Sequence, residues 1–101
     1  MRAGTKYSPR ATKQLEDLYE YVARASSPDR ANAFVSAIVD YCDRLTISPR
    51  RGTRRDDLRP GLRIVGFRRR VTIAFLVLEE SIVILGVFYG GRNFETLLRD
   101  E

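Results

Sequence analysis

The 101-residue sequence predicts an α+β domain, in which a helical hairpin packs on one face of a small antiparallel sheet. In the N-terminal half, apolar residues recur at the 3–4 spacing of amphipathic helices. In the C-terminal half, three runs dense in Val, Ile, Phe and Leu are separated by short polar breaks, as in a strand meander. A chain of this length allows one hydrophobic core, so residues 1–101 are expected to form a single domain of order (β)ααβββ(α).

Each predicted helix begins at a Ser-Pro pair, because Ser is a favoured N-cap and Pro suits the first helical position. A short lead-in strand over residues 6–8 runs into Ser8-Pro9, which opens the first helix. The stretch Ser26-Ser27-Pro28-Asp29 ends that helix and opens the second. The second helix is expected to end near Ile47, because Pro49 disfavours helical geometry in the residue before it. Because only Ser26 and Ser27 link the two predicted helices, we expect them to form an antiparallel hairpin.

Three strands are predicted at residues 62–67, 70–78 and 82–89. Their connections are too short for crossovers, so neighbouring strands should be antiparallel. The last two strands are almost continuously apolar, which predicts that both faces of the sheet are covered. The helical hairpin would cover one face, and a C-terminal segment or a partner chain would cover the other. After Gly90-Gly91, residues 93–99 are expected to form a final short helix.

Positive charge is concentrated in one segment of the chain. The net charge is +5, yet residues 50–70 hold nine arginines against two aspartates, and the remaining residues are therefore slightly acidic in sum. Arginine suits bidentate pairing with carboxylate or phosphate, so this segment is expected to meet a polyanion or an acidic protein. Phe67 is the only aromatic residue inside the basic stretch. Direct nucleic-acid binding is therefore not expected to be the primary role.

The residue types limit the chemistry that the chain can perform. There is no histidine, the usual proton-transfer residue, and the single cysteine cannot complete a metal site or an internal disulfide. Cys42 lies on the apolar stripe of the second helix and is expected to be a core thiol. No cofactor is expected. We expect a cytoplasmic protein for three reasons. The sequence has a single thiol, it shows no secretory signal, and its apolar runs are too short for a membrane helix.

Three passages of the sequence together resemble the RelE/ParE superfamily of bacterial toxins, and within it the ParE-like branch. The opening is similar in its Ser-Pro-Ala helix start, acidic-Leu pair and aromatic residue. The middle is similar in its order of Pro, Gly, Arg, acidic-Leu, Pro-Gly and Leu-Arg, and the end in a last strand followed by a Gly-Arg turn. The residues that carry the first two passages are Ser8, Pro9, Ala11, Asp17, Leu18, Tyr21, Pro49, Gly52, Arg54 or Arg55, Asp57, Leu58, Pro60, Gly61, Leu62 and Arg63.

The resemblance implies the toxin of a type II toxin–antitoxin system, which inhibits DNA gyrase by binding rather than by catalysis. It also implies a neutralising partner, a ParD-like antitoxin with an acidic C-terminal segment. The residues expected to contact the target or the antitoxin combine the arginine-rich segment with the end of the last strand. They are Arg54, Arg55, Arg59, Arg63, Arg68, Arg69, Arg70, Tyr89 and Arg92.

Two alternatives stay open at the level of the sequence. RelE-like members of the superfamily are ribosome-dependent messenger-RNA endoribonucleases, and here Tyr89, Arg92, Arg63 and Arg70 would form such a site. In it Tyr89 would need strongly cationic neighbours to act as a base, since a tyrosine pKa is ordinarily about 10, while the arginines would hold the phosphate. The other alternative is a basic adaptor protein without toxicity.

Overall fold

The computed structural model describes residues 4–79, 81–90 and 94–99. It confirms the α+β class and the helical hairpin packed against one face of a sheet. In chain order the elements are β1 (Gly4–Tyr7), α1 (Pro9–Ala25), α2 (Pro28–Arg44), β2 (Thr53–Arg54), β3 (Leu62–Phe67), β4 (Val71–Val77), β5 (Ser81–Tyr89) and α3 (Phe94–Arg99). No helix within the described ranges is long and apolar enough to cross a membrane.

The five strands form one sheet in the order β1-β5-β4-β3-β2. The predicted meander of β3, β4 and β5 is antiparallel. The sheet as a whole is mixed, because β1 pairs with β5 in parallel, with Gly4 opposite Ser81 and Tyr7 opposite Ile84. The whole helical hairpin and three strands separate β1 from β5, so connection lengths could not reveal this pairing. The two-residue strand β2, which pairs with β3, is too short to give a periodic signal.

Both helices begin where the Ser-Pro pairs predict. The hydroxyl of Ser8 accepts a hydrogen bond from the Ala11 N–H at 3.1 Å, and the hydroxyl of Ser27 accepts one from the Arg30 N–H at 3.2 Å. Helix α2 ends at Arg44, earlier than the predicted Ile47. The backbone continues in tighter i→i−3 turns, the last of them from the Ile47 N–H to the Arg44 carbonyl at 3.1 Å.

The sheet carries an apolar layer on each face. The layer beneath α1 and α2 includes Leu18, Ile38, Phe75 and Ile84, together with the fully buried Cys42. On the opposite face the buried residues are Leu58, Leu62, Ala74, Leu85, Phe88 and Leu98. Leu98 belongs to α3, so the C-terminal segment supplies the second cover, one of the two options that the apolar strands allowed.

A β-bulge in β5 reverses the alternation of its side chains, so that Val87 packs under the helices and Phe88 in the opposite layer. Ala74 lies opposite Gly86, whereas the next residue, Phe75, lies opposite Ile84, so Leu85 is the extra residue of the bulge. A Cβ atom added at Gly86 would overlap the ring of Phe88. The bulge therefore requires a residue without a side chain beside the Phe88 ring.

Replacing Gly86 by Ala should lower the free energy of unfolding by about 1–3 kcal/mol, because the added methyl group forces the buried Phe88 ring out of its position. Urea unfolding followed by circular dichroism measures the loss.

Gly66→Ala in β3 is the control, since a Cβ atom there meets no atom within 4 Å. An equal loss in the two variants would contradict the steric account of Gly86.

Candidate partner-binding surface

Two of the predicted binding arginines are held by carboxylates of their own chain. Arg54 lies 3.1 Å from Asp56, and the guanidinium of Arg55 lies 2.9 Å from Asp57 and 2.7 Å from Glu95. Because Glu95 is in α3, Arg55 ties the loop before β3 to the helix that covers the second face. These two arginines therefore act within the fold before they meet any partner.

The same contacts change the acidity of the loop. The Arg55 guanidinium lowers the pKa of the Asp57 carboxyl. The pKa of Asp56 is lowered first by the backbone N–H of Gly61, which donates to the carboxylate at 2.8 Å, and then by Arg54. Both carboxylates are thus charged at neutral pH and fixed in their pairs.

Arg63 and Arg59 are also engaged within the molecule. Arg63 stands at the start of β3 opposite Phe75, half-buried, and donates to the backbone carbonyl of Arg50 at 2.9 Å. This hydrogen bond fixes the segment that follows α2. Arg59 is half-buried and interacts with other groups of the chain.

The exposed positive charge lies on a different set of arginines. Within the described ranges, no carboxylate forms an ion pair with these residues, which we term the open arginines: Arg50, Arg51, Arg68, Arg69 and Arg70. Arg50 and Arg51 were not among the predicted site residues. A local signal separates the two sets, since each ion-paired arginine of the loop stands two residues before an aspartate and the open arginines do not.

Two of the open arginines rest on aromatic rings. Arg51 lies 5.9 Å from the centroid of the Tyr41 ring, and Arg68 lies 5.0 Å from that of Phe67. The rings of Tyr41 and Phe67 are themselves in contact, with centroids 5.2 Å apart. These cation–π contacts restrain the arginines at the end of the sheet where β3 turns into β4.

The turn between β3 and β4 has an unusual backbone. Arg68 and Arg69 adopt φ angles of 50° and 62°, and the Arg70 N–H bonds to the Phe67 carbonyl at 3.3 Å, which describes a type I′ turn. Such turns strongly favour Asn-Gly, and each left-handed residue with a side chain costs about 1–2 kcal/mol. We term these three consecutive residues the arginine tip: Arg68, Arg69 and Arg70. The strained backbone of the turn lowers the stability of the fold while it exposes their side chains.

Tyr89 ends β5 under the helical hairpin and is half-buried. Its ring lies 5.6 Å from that of Tyr21 and 6.2 Å from that of Phe34. Together with Tyr21, Gln14, Asp17, Leu18 and Val87, it lines a groove of about 280 Å³ between α1 and β5, the α1–β5 groove. Tyr21 is 57% exposed there, although an aromatic ring ordinarily gains from burial.

The four residues of the ribonuclease alternative do not all come together. Tyr89 lies opposite Val71, whereas Arg63 lies opposite Phe75, four residues or about 13 Å further along β4 and on its other side. Arg70 is beside the end of β5, where its carbonyl accepts from the Gly90 N–H at 2.9 Å. Arg92 lies outside the described residues.

Other titratable groups are built into the core. Cys42 is fully buried, as predicted, and burial raises the pKa of its thiol to about 11, so it is uncharged at neutral pH. Across residues 4–79, 81–90 and 94–99, no three His, Cys, Asp or Glu side chains are grouped so that they could hold a metal ion.

The chain has recognisable relatives. A family model described as "ParE toxin of type II toxin-antitoxin system, parDE" matches residues 5–94. Among solved structures, a chain of the "Chromosomal ParDE TA system from P. aeruginosa" superposes with a TM-score of 0.74 at 23% identity, over 89% of this chain and 97% of that one. At 23% identity, this structural similarity shows that the two chains share a fold. No curated protein matches the chain.

Replacing Arg55 by Gln should raise the pKa of Asp57 towards its ordinary value of 3.8, because the guanidinium is the main cause that lowers it. A carboxyl whose pKa is lowered by folding stabilises the folded state at neutral pH, and that contribution is lost as the pH falls through the lowered value. The stability of the wild type should therefore fall more steeply below pH 3.8 than that of the variant. Side-chain carboxyl NMR and urea midpoints at several pH values measure both effects.

Arg54→Gln provides the comparison. The pKa of Asp57 should not change in it, and that of Asp56 should stay partly lowered, because the Gly61 N–H still donates to the carboxylate. If the two variants shifted Asp57 equally, the Arg55 contact would not be the cause.

Proposed function

The chain belongs to the ParE toxin family of type II toxin–antitoxin systems, and from that membership we propose that it arrests growth by binding DNA gyrase in the cytoplasm. We propose further that a ParD-like antitoxin with an acidic C-terminal segment neutralises it. Both partners are bound in this proposal, and neither is chemically altered.

The observation that carries the proposal is the exposed positive charge of the open arginines. An acidic partner is attracted over a distance by this charge and held at short range by bidentate hydrogen bonds. Arg51 and Arg68 already rest on the rings of Tyr41 and Phe67, so less side-chain freedom is lost when a partner binds them. A restrained cationic surface is suited to tight binding.

The α1–β5 groove supports the antitoxin part of the proposal. Strand β1 pairs with β5 as far as Ile84, and among the described residues no other strand pairs with the end of β5 on the side that faces α1. The exposed ring of Tyr21 and the half-buried ring of Tyr89 offer an apolar anchor point. An antitoxin segment that folds on binding would insert an apolar side chain there, while its acidic residues face the open arginines.

Excess purified toxin should prevent supercoiling of a relaxed plasmid by gyrase, and equimolar ParD-like antitoxin should restore it. Arg50→Gln/Arg51→Gln should weaken inhibition about tenfold, the effect of losing about 1.4 kcal/mol of binding free energy. The readout is a titration of toxin against supercoiling activity on agarose gels.

The control for charge is Arg24→Gln/Arg30→Gln, which removes two exposed cations from the helices and should inhibit like the wild type. Unchanged supercoiling at excess toxin would contradict the proposal. Cut messenger RNA in a translation extract, lost in Tyr89→Phe, would instead favour the ribonuclease.

Replacing Tyr21 by Ala should weaken antitoxin binding about tenfold or more, because an aromatic anchor is removed from the groove. The stack on Tyr89 is worth only about 0.5–1.5 kcal/mol, so the variant should stay folded. Isothermal titration with the antitoxin, together with circular dichroism of the toxin, measures the two quantities separately.

Leu78→Ala is the control, since Leu78 is 50% exposed and lies just beyond the opposite end of β4 from the arginine tip. If Leu78→Ala weakened the complex and Tyr21→Ala did not, the antitoxin would dock elsewhere on the toxin.

A further inference from the structure

We propose that the arginine tip binds the phosphate backbone of duplex DNA. This is an activity of the toxin itself, additional to its binding of gyrase and antitoxin. It would be weak and independent of base sequence, an auxiliary contact rather than the primary role.

The charge of the tip is the first support. Arg68, Arg69 and Arg70 are consecutive, all exposed, and not ion-paired with any carboxylate in the described ranges. The loop before β3 is built differently, because Asp56 and Asp57 neutralise Arg54 and Arg55. A row of uncompensated guanidinium groups suits a ligand with regularly repeated negative charge, and phosphates bind arginine without any apolar contact.

The tip itself carries only cationic side chains, which suits a phosphate backbone, whereas the apolar anchor of an antitoxin segment would be Tyr21 in the α1–β5 groove. A protein segment that folds on binding gains most of its affinity from apolar burial. The exposed aliphatic side chains of β4 and its following turn, Val77 and Leu78, lie at the far end of that seven-residue strand. The two glycines nearest the tip, Gly66 and Gly90, are exposed and offer no side chain.

The shape of the tip favours duplex DNA over a single strand or an RNA duplex. Single strands are held largely by bases stacking on exposed rings, whereas Phe67 is only 8% exposed and Arg68 lies over its face. The major groove of B-form DNA admits a two-stranded β-ribbon, whereas that of A-form RNA is too narrow for side chains to enter. The turn between β3 and β4 is such a ribbon end.

The strain in the turn is the second, independent support. Arg68 and Arg69 hold left-handed φ angles at positions where Asn-Gly would fit without strain. Strained backbone of this kind is typical of functional sites, where stability is given up for a required side chain. At these two strained positions the chain has arginine side chains in place of the favoured Asn-Gly.

The turn also provides a test variant that should fold at least as well as the wild type. Arg68→Asn/Arg69→Gly removes two charges and supplies the favoured type I′ residues, so its melting temperature should be equal or higher. Binding to a labelled duplex of about 20 base pairs is followed by fluorescence anisotropy at several salt concentrations. The slope of log K against log salt should become shallower by about 2 and affinity at low salt should fall about tenfold or more, since each phosphate contact contributes about 0.9 to the slope.

The matched control is Lys6→Gln/Lys13→Gln, which removes two exposed cations from β1 and the first half of α1 and should keep the slope and affinity of the wild type. An equal loss in the control, or wild-type binding by the tip variant, would overturn the proposal. So would a tip variant that binds duplex normally but loses affinity for an acidic antitoxin peptide. The assay contains no gyrase, so its failure leaves gyrase inhibition standing, and the reverse also holds.

Discussion

The contact between the start of α1 and the bulged centre of β5 is the constraint on which the rest of the structure depends. The Ser8 hydroxyl accepts from the Ala11 N–H and donates to the Leu85 carbonyl at 3.1 Å, so one side chain caps the helix and holds the bulge. Further along α1, the side-chain amide oxygen (Oε1) of Gln14 accepts from the Val87 N–H at 2.7 Å. With α1 aligned along β5 in this way, Tyr21 lies beside Tyr89 and the groove between them is formed. Beyond the bulge the alternation of β5 is reversed, so that Phe88 packs in the opposite core layer.

Arginine has two different uses in this chain, and local sequence separates them. Where an aspartate follows two residues later, as for Arg54 and Arg55, the guanidinium becomes part of the fold and, through Glu95, fastens α3. Where no aspartate follows, the arginine either donates to a backbone carbonyl, as Arg63 does to Arg50, or stays exposed and at most rests on a ring, as Arg68 does on Phe67. The net charge of residues 50–70 is therefore larger than the positive charge that a partner could contact. The surface available for binding is smaller than the segment, and it is centred on the turn between β3 and β4.

Much of the fold follows from local signals, whereas the parts that were missed depend on distant contacts. Ser8-Pro9 and Ser27-Pro28 specify helix starts through bonds that span three residues, so the sequence predicts them well. The parallel pairing of β1 with β5 joins Gly4 to Ser81, and no local pattern encodes it. For the candidate site, composition predicts residues 50–70 as the cationic surface but cannot tell which of its arginines are ion-paired. The Arg55–Glu95 bridge spans forty residues and required the fold to be known.

The distance in sequence between β1 and its partner has a consequence for synthesis on the ribosome. Residues 4–7 are made first, yet the strand edge that they occupy does not exist until residues 81–84 have emerged. The layer beneath α3 closes later still, when residues 94–99 follow, and a six-residue helix has no stability of its own away from that layer. Until residues 94–99 have been made, the nascent chain therefore carries a sheet with one incompletely covered face. Synthesis of residues 81–99 is thus the step that gives β1 its partner strand and closes the layer beneath α3.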